Sequence, residues 1–500
     1  MALCLVSSGC ANPANTSDHY LSPRGDDSGP GTAARPWKTI AKVNRTDLGP
    51  GDRVLFEGGE TFAGTITLDA RDGGASGKKL TVTSYGTGQA TINGGNASGL
   101  VSQGCSHFVL KDLTFVGSGR KTGNTEDGVS LADGADIEVD QLEISGFRGS
   151  GLQLRDVRDT RITHVYSHDN GAAGITAGTG SEGEGTSETL YIGYCIAENN
   201  PGDPSNLTNH SGNGIVVGCV KGCLIERCEA MNNGWDMPRT GNGPVGIWAW
   251  NADHVIIQFC EAHHNKSPGW DGGGFDFDGG VTNSILQYNY SHDNEGPGYF
   301  LCQYPTAPTW KNNIVRYNIS VNDGTKNNVG CGIEVIANDE GMSDAEVYHN
   351  TVYNEKGGAV GFAGQPVPRV RFRDNIFVSG GDLIRGDYSR ARFQGNCYWS
   401  LRGEFSVPGH QTLADWAAAT GQERVGEAVV GIYADPLLVD AGFSRTVKPD
   451  GLDGIPAYRL QPDSPCIGAG IPVQDNGGRD FWGTAVPEGK KPTIGAWEKP

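Results

Sequence analysis

Residues 272–280 read Gly-Gly-Gly-Phe-Asp-Phe-Asp-Gly-Gly, and residues 246–250 read Gly-Ile-Trp-Ala-Trp. As strands, both alternate: Ile247, Ala249, Phe275 and Phe277 point one way, and Trp248, Trp250, Asp276 and Asp278 the other, because side chains of a strand change face at every residue. Aspartate and glycine are poor strand formers. A strand that carries two acids between glycine pairs therefore gives up propensity to set two carboxylates side by side. The same Gly-apolar-x-apolar pattern recurs at Gly174-Ile175, Gly214-Ile215, Gly298-Tyr299 and Gly332-Ile333. The inward column then reads Ile175, Ile215, Ile247, Phe275, Tyr299, Ile333, a continuous core. The outward column reads Thr176, Val216, Trp248 with Trp250, Asp276 with Asp278, Phe300 with Cys302, and Glu334 with Ile336.

Two further columns share this period. One runs Asp112, Asp140, Val165, Cys195, Cys228, Cys260, Asn289, Asn318, Asn350, Asn375 and Asn396, at spacings of 21 to 33 residues, in the range of solenoid coils. Five residues further on, Asn170, Asn200, Asn233, Asn265 and Asn294 form another, slipping by one to Asn322 and Asn354. Stacked side-chain amides at a turn can bond from coil to coil as an asparagine ladder. Cys195, Cys228 and Cys260 in one column read as stacked small apolar thiols rather than disulfides. His168 and His292, in the repeated Ser-His-Asp-Asn turn, fall in the ladder and are assigned a structural role, as are His263 and His264.

The bulk numbers fit. Gly 77 of 500 residues is about twice the usual share, and 37% hydrophobic content in short clusters excludes a helix-rich or membrane-spanning chain. A net charge of −19 argues against nucleic acid and anionic membranes as partners. Small residues before Cys10 suggest an export or lipoprotein-type leader over residues 1–17, implying a secreted, periplasmic, extracellular or lipoprotein-anchored bacterial protein. Residues 18–104 form an N-terminal cap and first coils, with a short helical pattern opening at Pro36 and placing Trp37, Ile40, Ala41 and Val43 on one face. Residues 105–400 form the repeating core. Residues 401–500 form an extension with a short helix started by Thr412. Long polar insertions at 201–213 and 234–245, with 178–189 and 305–311 opposite, raise both sides of the strip that carries Trp and Asp. Long loops in a compact repeat point to function, and this arrangement describes a groove.

The segment Gly31-Thr32 … Arg35-Pro36-Trp37-Lys38-Thr39-Ile40-Ala41-Lys42 … Pro50-Gly51-Asp52-Arg53-Val54-Leu55-Phe56-Glu57 resembles the N-terminal cap of secreted right-handed parallel β-helix proteins of the pectate-lyase-like superfamily. The ending Arg479-Asp480-Phe481-Trp482 … Pro492-Thr493-Ile494-Gly495-Ala496-Trp497-Glu498 resembles their C-terminal segment, which packs back along the solenoid. The resemblance implies an all-β fold, a single parallel β-helix with a helical cap and a C-terminal extension. It also implies action on polysaccharides.

Extended geometry puts Asp276 and Asp278 about 6.5–7 Å apart at Cα, and Glu334, two coils on, about 10 Å from Asp276. Those separations suit glycosidase carboxylates, and like charges this close raise one pKa. By likeness to polygalacturonase-type hydrolases, Asp276 or Asp278 is the general acid and the other, or Glu334, the base, with no cofactor required; the Gly-His-Gly that follows Asp-Asp in that family is lacking here. Trp248, Trp250 and Phe300 are expected to stack on sugar, with Tyr304, Arg239 and His210 as further substrate contacts. Trp235 and Asp236 are more ordinary loop residues. The alternative is a calcium-dependent polysaccharide lyase using Asp271, Asp276 and Asp278 as hard oxygen ligands, with Lys266, Arg239 or Arg155 as base, although none of these lies in the Asp columns. That absence and the acidic charge favour hydrolysis of a neutral or weakly charged glycan. A third reading is an adhesin-type structural β-helix. A monomer is expected.

Overall fold

The computed structural model describes residues 16–178, 186–326, 330–338, 341–486 and 488–500. The leader around Cys10 and most of the 178–189 insertion lie outside the described residues. The chain winds into a solenoid with three strand-lined faces, and its strands pair in parallel from one coil to the next. The site-bearing face is a twelve-stranded sheet running from Ile66–Asp69 to Ile384–Arg385. Its middle strands are Ser150–Arg155, Ala173–Ala177, Asn213–Gly218, Ile247–Trp250, Phe275–Phe277, Tyr299–Gln303 and Cys331–Ala337. Only Arg424–Val425 and Ala428–Val429 pair as antiparallel strands among those described.

Register confirms the columns read from the sequence. Ile215 pairs with Ile247, Ile247 with Phe275, Phe275 with Tyr299 and Tyr299 with Ile333, and all are buried in one apolar core. The side-chain ladder forms through Asn170, Asn200, Asn233, Asn265 and Asn294, each Nδ2 donating to the next Oδ1 at 2.9–3.2 Å. Its next rung is Asp323, not Asn322: Asn294 Nδ2 donates to Asp323 Oδ1 at 2.8 Å. Asp323 keeps the five-residue spacing from Asn318, while Asn322 takes the left-handed position (φ 51°) that Asn199 and Asn232 hold just before their own rungs. A second ladder runs Asn289, Asn318, Asn350, Asn375, Asn396 at 2.9–3.1 Å and ends on Glu423. Cys195, Cys228 and Cys260 are buried free thiols, as a stacked column requires.

The predicted cap helix is a single turn, Ile40–Val43, started by Thr39, whose Oγ1 accepts from Lys42 N–H. Trp37 lies outside it in a bridge to Leu21, and Ala41 is exposed. Beyond residue 400, helix Leu413–Thr420 plugs the far end of the core with buried Trp416 against Phe393, Tyr398 and Phe405. The rest packs along the ladder side. Arg316 Nη1 donates to Asp475 O at 2.9 Å, and the Val447 and Lys448 amides donate to Glu261.

Candidate active site

A cavity of about 1060 Å³ opens along the twelve-stranded face, bounded by strands from Ser150–Arg155 to Gly358–Gly364. Asp271, Asp276 and Asp278 all line it. Asp276 sits between Trp248 and Phe300 on the two neighbouring strands, in direct register. The two aromatics flank it and belong to a small apolar cluster with Val216 and Val245, and Asp276 is 6% exposed. Its Oδ1 has no hydrogen-bond partner. Burial first, then the charges of Asp278 and Asp271, push its pKa well above the usual carboxylate range. A negative charge there would have little water and no donor at Oδ1.

Asp278 lies just past the strand end, partly open to the cavity. Burial raises its pKa to about 6, against the lowering effect of the Gly279 amide, which donates at 2.8 Å, and of the Cys302 thiol. Asp271 has a left-handed backbone, φ 64°, and its Oδ2 accepts from Gly243 N–H at 2.7 Å. Burial and the charge of Asp278 raise it to about 7. The flanking glycines answer to packing. A Cβ on Gly273 would stand 2.5 Å from the Phe300 ring, and one on Gly279 2.4 Å from the Tyr304 ring.

Other expected contacts divide. Trp250, Tyr304 and His210 line the cavity. His210 Nδ1 lies 3.1 Å from Asn213 Nδ2 and therefore accepts; its ring meets Trp248 edge-on at 5.1 Å, and burial lowers its pKa to about 4. It is neutral over the physiological range. Trp248 and Phe300, expected as exposed stacking rings, are instead 4% and 1% exposed. They touch the cavity as its floor, with Trp248 Nε1 donating to Asn213 Oδ1 at 3.1 Å. Arg239 does not line the cavity; it donates to the Asn242 carbonyl at 2.6 Å, although its charge reaches His210 and Asp271. Glu334 shares the column of Asp276 but is 1% exposed, is paired with Arg385 at 2.9 Å, and is absent from the cavity lining. A base held in a buried ion pair is unavailable to a substrate. Lys266, a candidate base for the lyase reading, is engaged by Asn232 at 3.2 Å away from the cavity.

Sequence reasoning missed Trp270, 51% exposed on the cavity lip, and Asn213, which holds both Trp248 and His210. Trp270 stands immediately before Asp271, in a stretch too irregular for strand alternation to place it. Among the described residues, clusters whose ligand atoms all lie within 4.8 Å of one another are Glu261–His263–His292 and His264–His292–Asp293; the acid trio is not one. The His292 cluster lies under the C-terminal extension, where His292 Nε2 and Glu261 Oε1 are 3.1 Å apart.

A family model described as the Pel9A-like right-handed β-helix region matches residues 19–328. The chain belongs to that family. It is 23% identical to a lacto-N-biosidase of Bifidobacterium longum subsp. longum over 97% of this chain and 36% of that protein. The chain thus spans about a third of the length of the curated relative it matches. Among solved structures, the GH136 lacto-N-biosidase of Eubacterium ramulus is similar at 21% identity and a TM-score of 0.54, over 68% of this chain and 64% of that one. XylC in complex with xylose is similar at 11% identity and a TM-score of 0.50, over 97% and 98%. These likenesses establish the fold of the Pel9A-like chain.

Proposed function

We propose that this Pel9A-like chain is a glycoside hydrolase acting on an oligosaccharide or polysaccharide, exported from a bacterial cell and working as a monomer without a required cofactor. One observation carries the reading: three carboxylates share one cavity with graded proton affinities, Asp278 at about 6, Asp271 at about 7 and Asp276 well above the usual range. Such grading is how paired acids divide general-acid and base or nucleophile roles. Asp276 and Asp278 titrate as a pair. Of the three, Asp278 is the carboxylate that ionises most readily, held by Gly279 N–H and the Cys302 thiol. It attacks the anomeric carbon or activates water. Asp271 has a proton affinity matched to neutral pH and protonates the leaving oxygen. Asp276, neutral between its two rings, donates a hydrogen bond to substrate. The name of the lacto-N-biosidase relative supports glycosidic cleavage.

The lyase reading needs a strong base beside the acids. Among the described cavity-lining residues the one Lys or Arg is Arg155, four strands from Asp276, or about 19 Å at ~4.8 Å per strand. The carboxylates offer hard oxygen donors that suit calcium, yet Asp276 is buried between Trp248 and Phe300 on the neighbouring strands and the trio is not gathered within 4.8 Å. No step of the proposed reaction runs through a cation.

The test digests a panel of neutral and acidic glycans and follows new reducing ends and the ultraviolet absorbance of unsaturated uronates, with and without chelator. Reducing ends without absorbance are expected. Asp278→Asn and Asp271→Asn should each lose at least about 10²–10³-fold in kcat/KM, and Asp276→Asn, which keeps a neutral donor, less. Absorbing products lost with chelator would replace hydrolysis with elimination, and full activity in Asp278→Asn would remove the site.

A further inference from the structure

The cavity is unlike on its two sides. Towards the C-terminal coils its wall is largely apolar, with Ile336 and Ala363; towards the N-terminal coils it carries Asn213, Thr176, Ser150, Gln153 and Arg155. We propose that this N-terminal arm is a subsite for an anionic substituent of the glycan, a carboxylate or sulfate, gripped by Arg155 at the end of a sugar-binding floor made by Trp250. The proposal rests on the glycosidase reading and names the substrate class of that same cavity.

Register places the parts. Leu154, Ala177, Val217, Ala249 and Phe277 pair in sequence across five strands. The residues that follow them, Arg155, Gly178, Gly218, Trp250 and Asp278, therefore form one row along the cavity. Two of the three positions between Arg155 and Asp278 are glycines, and the third is Trp250. The Trp250 indole lies across Gly218, where a Cβ would come within 2.1 Å of its Nε1 and Cε2. The row is thus a bare backbone floor covered by one flat ring, which suits the C–H face of a pyranose. Coil rise and pyranose length are similar, so sugars laid along this row step roughly one ring per strand towards Arg155.

Charge makes Arg155 selective. In a chain of net charge −19 it is the one Lys or Arg among the described residues of the cavity lining. Its side chain is exposed, and Nη2 makes a single long contact to Ser130 Oγ at 3.4 Å, using one of five N–H donors. Burial raises the pKa of nearby Asp127, a rise that the Ser150 amide, donating at 2.7 Å, and the Arg155 charge only partly oppose. A guanidinium with most donors open matches a carboxylate or sulfate in two parallel hydrogen bonds. At about 19 Å from the acid strand, beyond the ~8 Å Debye length of physiological salt, the anion escapes repulsion by Asp278.

The experiment uses the full chain with Asp278→Asn, so that bound glycan is not consumed, on an array of matched pairs: oligogalacturonides against their methyl esters, sulfated against desulfated oligosaccharides, and sialylated against desialylated ones. At least one anionic member should be retained about tenfold more tightly than its neutral partner, with the discrimination falling to parity when Arg155→Gln is added and partly restored by Arg155→Lys. The pair that discriminates identifies the anion. Equal retention within every pair, or discrimination that survives Arg155→Gln, would overturn the proposal. Reducing-end release from the neutral members by the unmodified chain reports separately on the glycosidase reading, so either idea can fail alone.

Discussion

Replacing Asp271 with asparagine should stabilise the protein at alkaline pH while destroying its activity. Burial and Asp278 raise the Asp271 carboxyl from 3.8 to about 7. Below pH 4 it is protonated in both folded and unfolded chains, and its ionisation contributes nothing. As pH rises from 4 to 7 the unfolded chain releases this proton while the folded chain keeps it, so folding loses free energy steadily; above 7 the deficit is constant. A shift of about three units corresponds to about 4 kcal/mol. Asp271 is partly open to the cavity, and water there screens its charge, so about 2 kcal/mol is the expected deficit. Asparagine has nearly the same shape, and its Oδ1 can still accept from Gly243 N–H, which removes the deficit without removing the hydrogen bond. Unfolding followed by tryptophan fluorescence should therefore show Asp271→Asn matching the parent near pH 4 and exceeding it at pH 8, with hydrolysis lost at both. Trp248, Trp250 and Trp270 report from the groove and the other seven of the ten tryptophans from the rest of the chain, so the signal follows the whole solenoid, whose coils need not unfold together. Equal unfolding at both pH values, or lower stability at pH 8, would refute the assignment of a proton to this carboxyl in the folded state.

Two further substitutions probe the supports. Cys302→Ala removes the thiol that lowers the pKa of Asp278, so the acid limb of kcat/KM against pH should move to higher pH; an unmoved limb would mean that the thiol does not act on the ionising group. Asn233→Ala cuts a ladder rung bonded to Ala197 O at 3.0 Å and Asn265 Oδ1 at 2.9 Å. It leaves buried acceptors unpaired at about 1–3 kcal/mol, so thermal unfolding should come earlier while hydrolysis per folded molecule persists; an unchanged melting temperature would show the ladder to be dispensable.

The repeats alone determined the solenoid. Parallel coils place equivalent residues on top of one another, so a column of Ile, Phe and Tyr, or of asparagines, is visible wherever the period holds. The reading failed at Asn322, where Asp323 takes the rung at the unbroken five-residue spacing, because the column was followed by residue type and a carboxylate oxygen can accept in the place of an amide oxygen. It also placed Asp276, Asp278 and Trp250 on one face, since strand alternation fixes that much. Alternation says which way a side chain leaves the backbone and nothing about what covers it. Tertiary packing therefore decided that Trp248 and Phe300 are buried beside Asp276 instead of waiting for sugar, that Arg385 claims Glu334, and that Asp271, from an irregular turn outside every column, joins the other two acids. The proton affinities on which the proposed chemistry depends arise from that enclosure. Desolvation is a property of surroundings, and these surroundings come from four coils and a loop that only the fold brings together.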